Sequence, residues 1–103
     1  MNRTIWKYTL EIVDSQTIEV PGGSELLSVI EQNNELVLYA LVNPSIPTQS
    51  FNVQIKGTGH PVDSTLLLNY YFFGTVSTRN GSLVWHIFIE RKALLGPLLP
   101  YVK

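Results

Sequence analysis

The stretch that decides the fold runs from Arg79 to Glu90 and reads Arg-Asn-Gly-Ser-Leu-Val-Trp-His-Ile-Phe-Ile-Glu. Its Asn80-Gly81 pair predicts a tight hairpin turn, because asparagine and glycine tolerate the positive φ values that such turns need. The residues after the turn alternate with a period of two, which predicts a strand. One face carries Leu83, Trp85, Ile87 and Ile89, and the other carries Val84, His86 and Phe88. Since both faces are apolar, we expect this strand to be central in its sheet or to meet another subunit.

The same alternation predicts strands earlier in the chain. Residues 5–12 place Trp6, Tyr8, Leu10 and Ile12 on one face. A short strand over residues 17–20 follows an Asp14-Ser15 turn, so we expect the first two strands to form a hairpin or to lie close together. Residues 51–56 form a further half-buried strand that ends at Gly57.

Two segments leave alternatives open. The apolar runs 26–32 and 36–42 flank Asn33-Asn34-Glu35 and predict a hairpin, although a helix over residues 25–31 is the main alternative. Residues 66–78 are either a core strand interrupted near Gly74 or a short helical turn followed by a strand.

Length and composition indicate one domain. The chain has 103 residues, of which 45% are hydrophobic and 15% charged. We expect a mainly β fold over residues 1–92, a small antiparallel β-sandwich or barrel-like sheet built from hairpins. The apolar tail over residues 93–103 is predicted to dock on a neighbouring subunit, which makes the protein an oligomer.

Composition also excludes several kinds of chemistry. The chain contains no cysteine, which removes disulfides, thiolate metal ligands and cysteine nucleophiles. A net charge of −1 argues against polymeric nucleic acid as a partner, because such binding neutralises many phosphates at once. Two histidines with scattered carboxylates fall short of a zinc pattern, so we expect neither a metal nor a cofactor. The amino terminus predicts no signal peptide, and no segment is apolar enough to predict a membrane span, so we expect a cytosolic protein.

The loop Gly57-Thr58-Gly59-His60-Pro61 is the main candidate for function. It lacks the Gly-Lys-Ser/Thr sequence of a phosphate loop, and a proline stands where a helix would begin. The glycines therefore predict either a plain tight turn or backbone amides that approach an anion. His60 has Asp63 three residues later, the minimum for proton transfer, but no motif marks a nucleophile.

Several segments occur in an order that resembles a family of small phage and prophage proteins. They are Thr4-Ile5-Trp6-Lys7-Tyr8, Gln16-Thr17-Ile18-Glu19-Val20-Pro21, Ala40-Leu41-Val42-Asn43-Pro44, Gly57-Thr58-Gly59-His60-Pro61 and Val84-Trp85-His86-Ile87-Phe88. The family is similar to viral anti-defence sponges of the anti-CBASS type, which sequester nucleotide immune signals. The stretch from residue 66 to residue 73 is longer and more apolar than that family's pattern, and the tail after Glu90 is an addition to it.

The resemblance implies a protein that is not an enzyme and that works in the host cell cytoplasm. It would be a homo-oligomer, with a tetramer favoured, and would bind a cyclic dinucleotide or an ADP-ribose derivative without cleaving it. Such a ligand needs cations or amides for its phosphates and flat side chains for its bases. The residues expected to bind phosphate or ribose are Arg3, Lys7, Thr58, Gly59 and His60, and those expected to stack on bases are Trp6, Tyr8 and Trp85.

Two other functions stay open. A structural or protein-binding phage accessory domain would use the last hairpin and the tail for protein contacts and would bind no nucleotide. A small phosphodiesterase acting through His60 or His86 is the third possibility, although acid/base and metal partners are missing from the sequence.

Overall fold

The protein is described by a computed structural model that covers residues 2–92. These residues form seven strands and one short helix. The elements are β1 (Thr4–Leu10), β2 (Ser15–Pro21), β3 (Glu25–Gln32), β4 (Glu35–Val42), β5 (Thr48–Gly57), α1 (Leu66–Asn69), β6 (Tyr70–Thr78) and β7 (Leu83–Glu90). The prediction of a mainly β, antiparallel single domain is confirmed, and the apolar tail lies outside the described residues.

The strands form two antiparallel sheets. Sheet A has the order β1-β4-β3, and sheet B has the order β2-β5-β7-β6. Strand β7 lies between β5 and β6, which confirms its predicted central position. The hairpin considered for the first two strands is wrong, because β1 pairs with β4 and β2 pairs with β5. The four residues from Glu11 to Asp14 carry the chain from one sheet to the other, and Ile55 N donates to Asp14 O at 3.1 Å.

One apolar core joins the two sheets. Side chains alternate across each strand, and the inner faces of both sheets contribute to a single buried cluster. Sheet A supplies Leu10, Leu36 and Leu38. Sheet B supplies Val20, Phe51, Val53, Ile55, Tyr71, Val76, Ile87 and Ile89. This shared core fixes how the loops at the ends of β5 and β7 sit relative to sheet A.

Both hairpins predicted from asparagine-containing turns are confirmed. Asn33 and Asn34 have φ values of 53° and 65° between β3 and β4, so the helix considered over residues 25–31 is wrong. Asn80 and Gly81 have φ values of 55° and 89° between β6 and β7. Positive φ at adjacent residues turns the chain with the twist that antiparallel strands require.

The segment from Leu66 to Thr78 combines features of both alternatives. It begins with the short helix α1 and continues as strand β6. The pairing of β6 with β7 shifts between Phe72 and Gly74, which places a bulge beside the glycine. Gly74 also lies close to sheet A, because a Cβ there would be 3.1 Å from Val29 Cγ1.

Candidate functional site

A tight turn follows β5 and presents the candidate histidine. His60 N donates to Gly57 O at 3.1 Å, and Gly59 has a φ of 90°. These features match a type II turn, in which the third residue takes a positive φ and is usually glycine. We call Gly57 to His60 the His60 turn. Its last three residues are exposed.

The imidazole of His60 folds back onto Gly57. A Cβ placed on Gly57 would lie 2.8 Å from His60 Cε1 and 2.9 Å from His60 Nδ1. The same Cβ would lie 3.3 Å from Trp85 Cζ3, and Gly57 pairs with Trp85 across the β5–β7 ladder. Because Gly57 has no side chain, it leaves room for the imidazole of His60 and the indole of Trp85 to lie over the same backbone position.

The indole of Trp85 is held from both sides. It packs against the core, and its Nε1 donates to Thr78 Oγ1 at 3.1 Å. Because a buried indole N–H normally requires an acceptor, this bond fixes the ring in one orientation. Trp85 is thus held in place by the core and by Thr78, and its ring lies beside Gly57 of the His60 turn.

Two small cavities flank the His60 ring. The first has a volume of about 260 Å³ and is lined by Ile12, Val13, Asp14, Ile55, Gly57, His60 and Trp85. The second has a volume of about 330 Å³ and is lined by Gly57, Thr58, His60, Ser82, Leu83, Val84 and Trp85. The first has apolar walls and one carboxylate, whereas the second carries two hydroxyl groups.

Thr58 links the turn to the opposite face of sheet B. Its backbone N donates to Val84 O at 3.2 Å, and its Oγ1 lies 2.7 Å from His86 Nε2. The other ring nitrogen, His86 Nδ1, lies 2.9 Å from Thr75 Oγ1. In a neutral imidazole one nitrogen accepts a hydrogen bond and the other donates one, so one threonine hydroxyl donates to His86 and the other accepts from it. His86 is thereby held at both nitrogens.

Asp14, one of the residues that line the first cavity, forms an ion pair with Lys56. Lys56 Nζ lies 2.6 Å from Asp14 Oδ1, and the lysine side chain is only 13% exposed. Asp14 comes from the connection between the sheets, and Lys56 immediately precedes the His60 turn. Asp14 lines this cavity, whereas Lys56, which pairs with His86 across the β5–β7 ladder, lies on the opposite face of sheet B from Ile55.

Asp63 has a local structural role. Its Oδ1 accepts hydrogen bonds from Thr65 N at 2.8 Å and from Thr65 Oγ1 at 2.7 Å. These bonds to the charged carboxylate lower the pKa of Asp63, with the backbone bond as the larger cause. The carboxylate considered as a partner for His60 thus organises the start of α1.

Trp6, Lys7 and Tyr8 lie in β1 on sheet A and Arg3 directly precedes this strand, and the structure does not bring these candidate residues together with the His60 turn. Arg3 is 3.6 Å from Glu25 Oε1, measured from its Nη2, and Lys7 is exposed. Alternation along the strand puts Lys7 on the outer face and Tyr8 on the inner face. Tyr8 packs against the core, and burial raises its pKa. Trp6 shares the inner face and is 43% exposed.

The structure brings Thr58, Gly59, His60 and Trp85 together. None of the residues lining the two cavities beside His60 belongs to β1. Sequence reasoning missed Gly57 as the position that accommodates the histidine, and it missed Ile12, Val13 and Asp14 as cavity walls. A glycine two residues before a turn glycine was the available signal for the first. The others depend on how the sheets pack.

Comparison with known proteins identifies a family. Residues 1–94 match the family model of DUF7352, described as a domain of unknown function. The chain belongs to this family. No curated protein and no solved structure matches the chain.

Membrane-spanning helices and clustered metal ligands are both absent from the described residues. Between residues 2 and 92, no helix is long and apolar enough to cross a membrane. Within the same range, no group of three or more histidine, aspartate or glutamate side chains is arranged to hold a metal ion.

Proposed function

We propose that the protein binds a nucleotide second messenger, a cyclic dinucleotide in the first instance, at the His60 turn and sequesters it without cleavage. The observation that carries the proposal is the packing of His60 on Gly57 beside Trp85, between two cavities. The resemblance to phage anti-defence sponges supports the same reading and supplies the expectation that the ligand stays intact.

The two cavities suit different parts of a nucleotide. An indole and an imidazole offer flat faces on which a base stacks, and Ile12 and Val13 add apolar walls to the first cavity. In the second cavity, the hydroxyl oxygens of Thr58 and Ser82 can accept hydrogen bonds from ribose hydroxyls or base amino groups, since the Ser82 hydroxyl already donates to Arg79 O. Lys56 lies outside the residues that line the first cavity, and it can offer a positive charge to the phosphate only by leaving Asp14, to which its Nζ is paired at 2.6 Å.

The size of the site also limits the ligand. Pockets for small molecules typically have volumes of about 300–1,000 Å³. Each cavity here is at or below the lower end, at about 260 and 330 Å³. A ligand with two linked parts would use both cavities, which fits a dinucleotide or an ADP-ribose derivative better than a single base. Assembly into a homo-oligomer, which the resemblance implies, would enclose such a ligand more fully.

The test is to mix the purified protein with cyclic dinucleotides and ADP-ribose derivatives and to record its thermal unfolding. A ligand at 100 times its dissociation constant stabilises the folded state by about 2.7 kcal/mol, which raises Tm by roughly 11–22 °C in a domain of this size. The protein is then denatured by heat and the released nucleotide is analysed by chromatography. Intact ligand supports sequestration, whereas a hydrolysed product shows an enzyme.

The variants His60→Ala and Gly59→Ala test the location of the site, with Gly23→Ala as a matched control. Gly59 and Gly23 have positive φ values of 90° and 77°, and a Cβ at either position meets no atom within 4 Å. Both alanine variants therefore strain a turn in a similar way, but Gly23 lies between β2 and β3, away from the residues that line the two cavities. Equal affinity in the two glycine variants would remove the His60 turn from the site.

A protein-binding accessory domain is the second candidate function. It is favoured by exposed apolar side chains on the outer face of sheet A, where Ile5 is 58% and Ile30 is 43% exposed. Strand register places them beside Leu41 and Val37, so they lie on one face. This candidate requires no affinity for any nucleotide and predicts that substitutions in the His60 turn leave protein contacts unchanged.

A further inference from the structure

The two sheets have four edge strands, and three of them are protected against further pairing. Strand β3 has a register shift between Leu26 and Ser28, and β6 has one between Phe72 and Gly74. Strand β2 is regular, but it ends in Pro21 and its exposed side chains are polar. Bulges, proline and charged or polar side chains are the usual devices that prevent sheets from joining at their edges.

Strand β1 lacks a bulge and a proline, and Lys7 is its only charged side chain. Its seven residues pair with β4 without a register shift, and no strand within residues 2–92 pairs with its other side. Two large apolar side chains flank this edge, Ile5 on the outer face and Trp6 on the inner face, at 58% and 43% exposed. A regular edge strand with exposed apolar side chains is a template for another strand.

We propose that β1 is an interface at which two copies of this chain pair edge to edge and antiparallel, about a twofold axis that passes beside Trp6. The two three-stranded sheets would then form one continuous sheet of six strands. The proposal does not rest on nucleotide binding.

The charges of β1 select the register. Pairing about Lys7 would place two ammonium groups directly opposite each other, and pairing about Ile5 would place Arg3 opposite Lys7. Like charges at directly opposed positions destabilise a sheet. Pairing about Tyr8 also spans five strand residues, but it leaves the exposed Ile5 outside the paired segment and centres the contact on Tyr8, which packs against the core.

Pairing about Trp6 avoids each of these problems. Trp6 then faces Trp6 of the second copy, and Lys7 faces Ile5, whose side chain can cover the aliphatic part of the lysine. Opposed aromatic residues on one face are among the favourable cross-strand pairs. The strand is thus self-complementary in this one register.

The test uses the variants Trp6→Lys and Trp6→Glu, alone and mixed in equal amounts, with mass measured by analytical ultracentrifugation. Each variant alone places like charges opposite each other at the twofold axis and should raise the dissociation constant of the pair by roughly tenfold or more. The mixture places lysine opposite glutamate and should restore association. Thr17→Lys is the control, because Thr17 is an exposed residue on the β2 edge.

The outcomes decide between this interface and others. Association that is lost in both single variants and restored in their mixture, with Thr17→Lys unchanged, supports the proposal. A monomeric wild-type protein at the highest concentration tested overturns it, and so does association that survives in both variants. Association that is lost and not restored by mixing overturns the register. Thermal unfolding of every variant confirms that each remains folded.

Discussion

The packing of His60 on Gly57 makes a specific prediction for Gly57→Ala. The new Cβ would lie 2.8 Å from His60 Cε1, whereas carbon atoms in ordinary contact are about 3.5 Å apart or more. The imidazole must therefore move by about 0.7 Å, the difference between these distances. Gly57 does not have a positive φ, so alanine fits the backbone and the cost comes from this contact.

The magnitude follows from the nature of the clash. Adding a methyl group to a packed site costs about 1–3 kcal/mol. The exposed imidazole can rotate away, so we expect the lower end, about 1 kcal/mol, which lowers Tm by roughly 4–8 °C in a domain of this size. In a His60→Ala background the clash with the imidazole is absent, and the new Cβ is close only to Trp85 Cζ3, at 3.3 Å. Replacing glycine by alanine also lowers the entropy of the unfolded chain, which stabilises the folded state by about 0.4–1 kcal/mol and offsets the cost of this remaining contact.

Urea denaturation of the wild type, both single variants and the double variant measures this coupling. The expected interaction free energy between positions 57 and 60 is about 1 kcal/mol, with an unchanged m value. A Gly57→Ala substitution that costs the same in both backgrounds would refute the packing described for His60. In the same proteins, nucleotide affinity should fall with Gly57→Ala if the displaced ring belongs to the site.

Three further predictions concern the turns and one half-buried tyrosine. Gly59→Ala and Gly81→Ala should each cost about 1–2 kcal/mol, because both residues hold a positive φ; a cost for one alone, measured by thermal unfolding, would contradict this. Asn34→Gly should cost about 0.5–1.5 kcal/mol more than Asn33→Gly in urea denaturation, because Asn34 Oδ1 accepts a hydrogen bond from Arg79 N at 2.9 Å. Equal costs would show that this bond between the two hairpin turns contributes nothing. Burial raises the pKa of Tyr8 above its ordinary value of 10.0, so the unfolded chain loses this proton first and stability should fall as the pH rises from that value through the folded pKa. Tyr8→Phe should flatten this alkaline decline in Tm, and an unchanged slope would show that Tyr8 is not its source.

Local patterns predicted most of the strands for a physical reason. Alternation of apolar and polar residues identifies a strand with one buried face, and it does not depend on which strand is the neighbour. The boundaries of β7, Leu83–Glu90, follow directly from this pattern. The asparagine turns at residues 33–34 and 80–81 were equally clear, because few residues tolerate positive φ.

Pairing between strands could not be predicted in the same way. The connection from Glu11 to Asp14 is short enough for a hairpin, yet it crosses between the two sheets. Both paths satisfy the local pattern, and burial of Leu10 and Val20 in one shared core decides between them. The helical start of the segment from Leu66 was likewise left open, because a short apolar run fits a helical turn or a strand.

In the candidate site, too, local features followed from the sequence, whereas the contacts between strands did not. The sequence by itself determined a turn at residues 57–60 and a strand that carries Trp85, since glycine tolerance and side-chain alternation are local properties. Only the tertiary structure decided that β5 and β7 are neighbours, so that Gly57 lies opposite Trp85 and leaves room for the His60 ring. It also decided that β1, with Trp6 and Lys7, lies on the other sheet. The physical reason is that pairing depends on the burial of all apolar faces together, a property of the whole chain that no single segment carries.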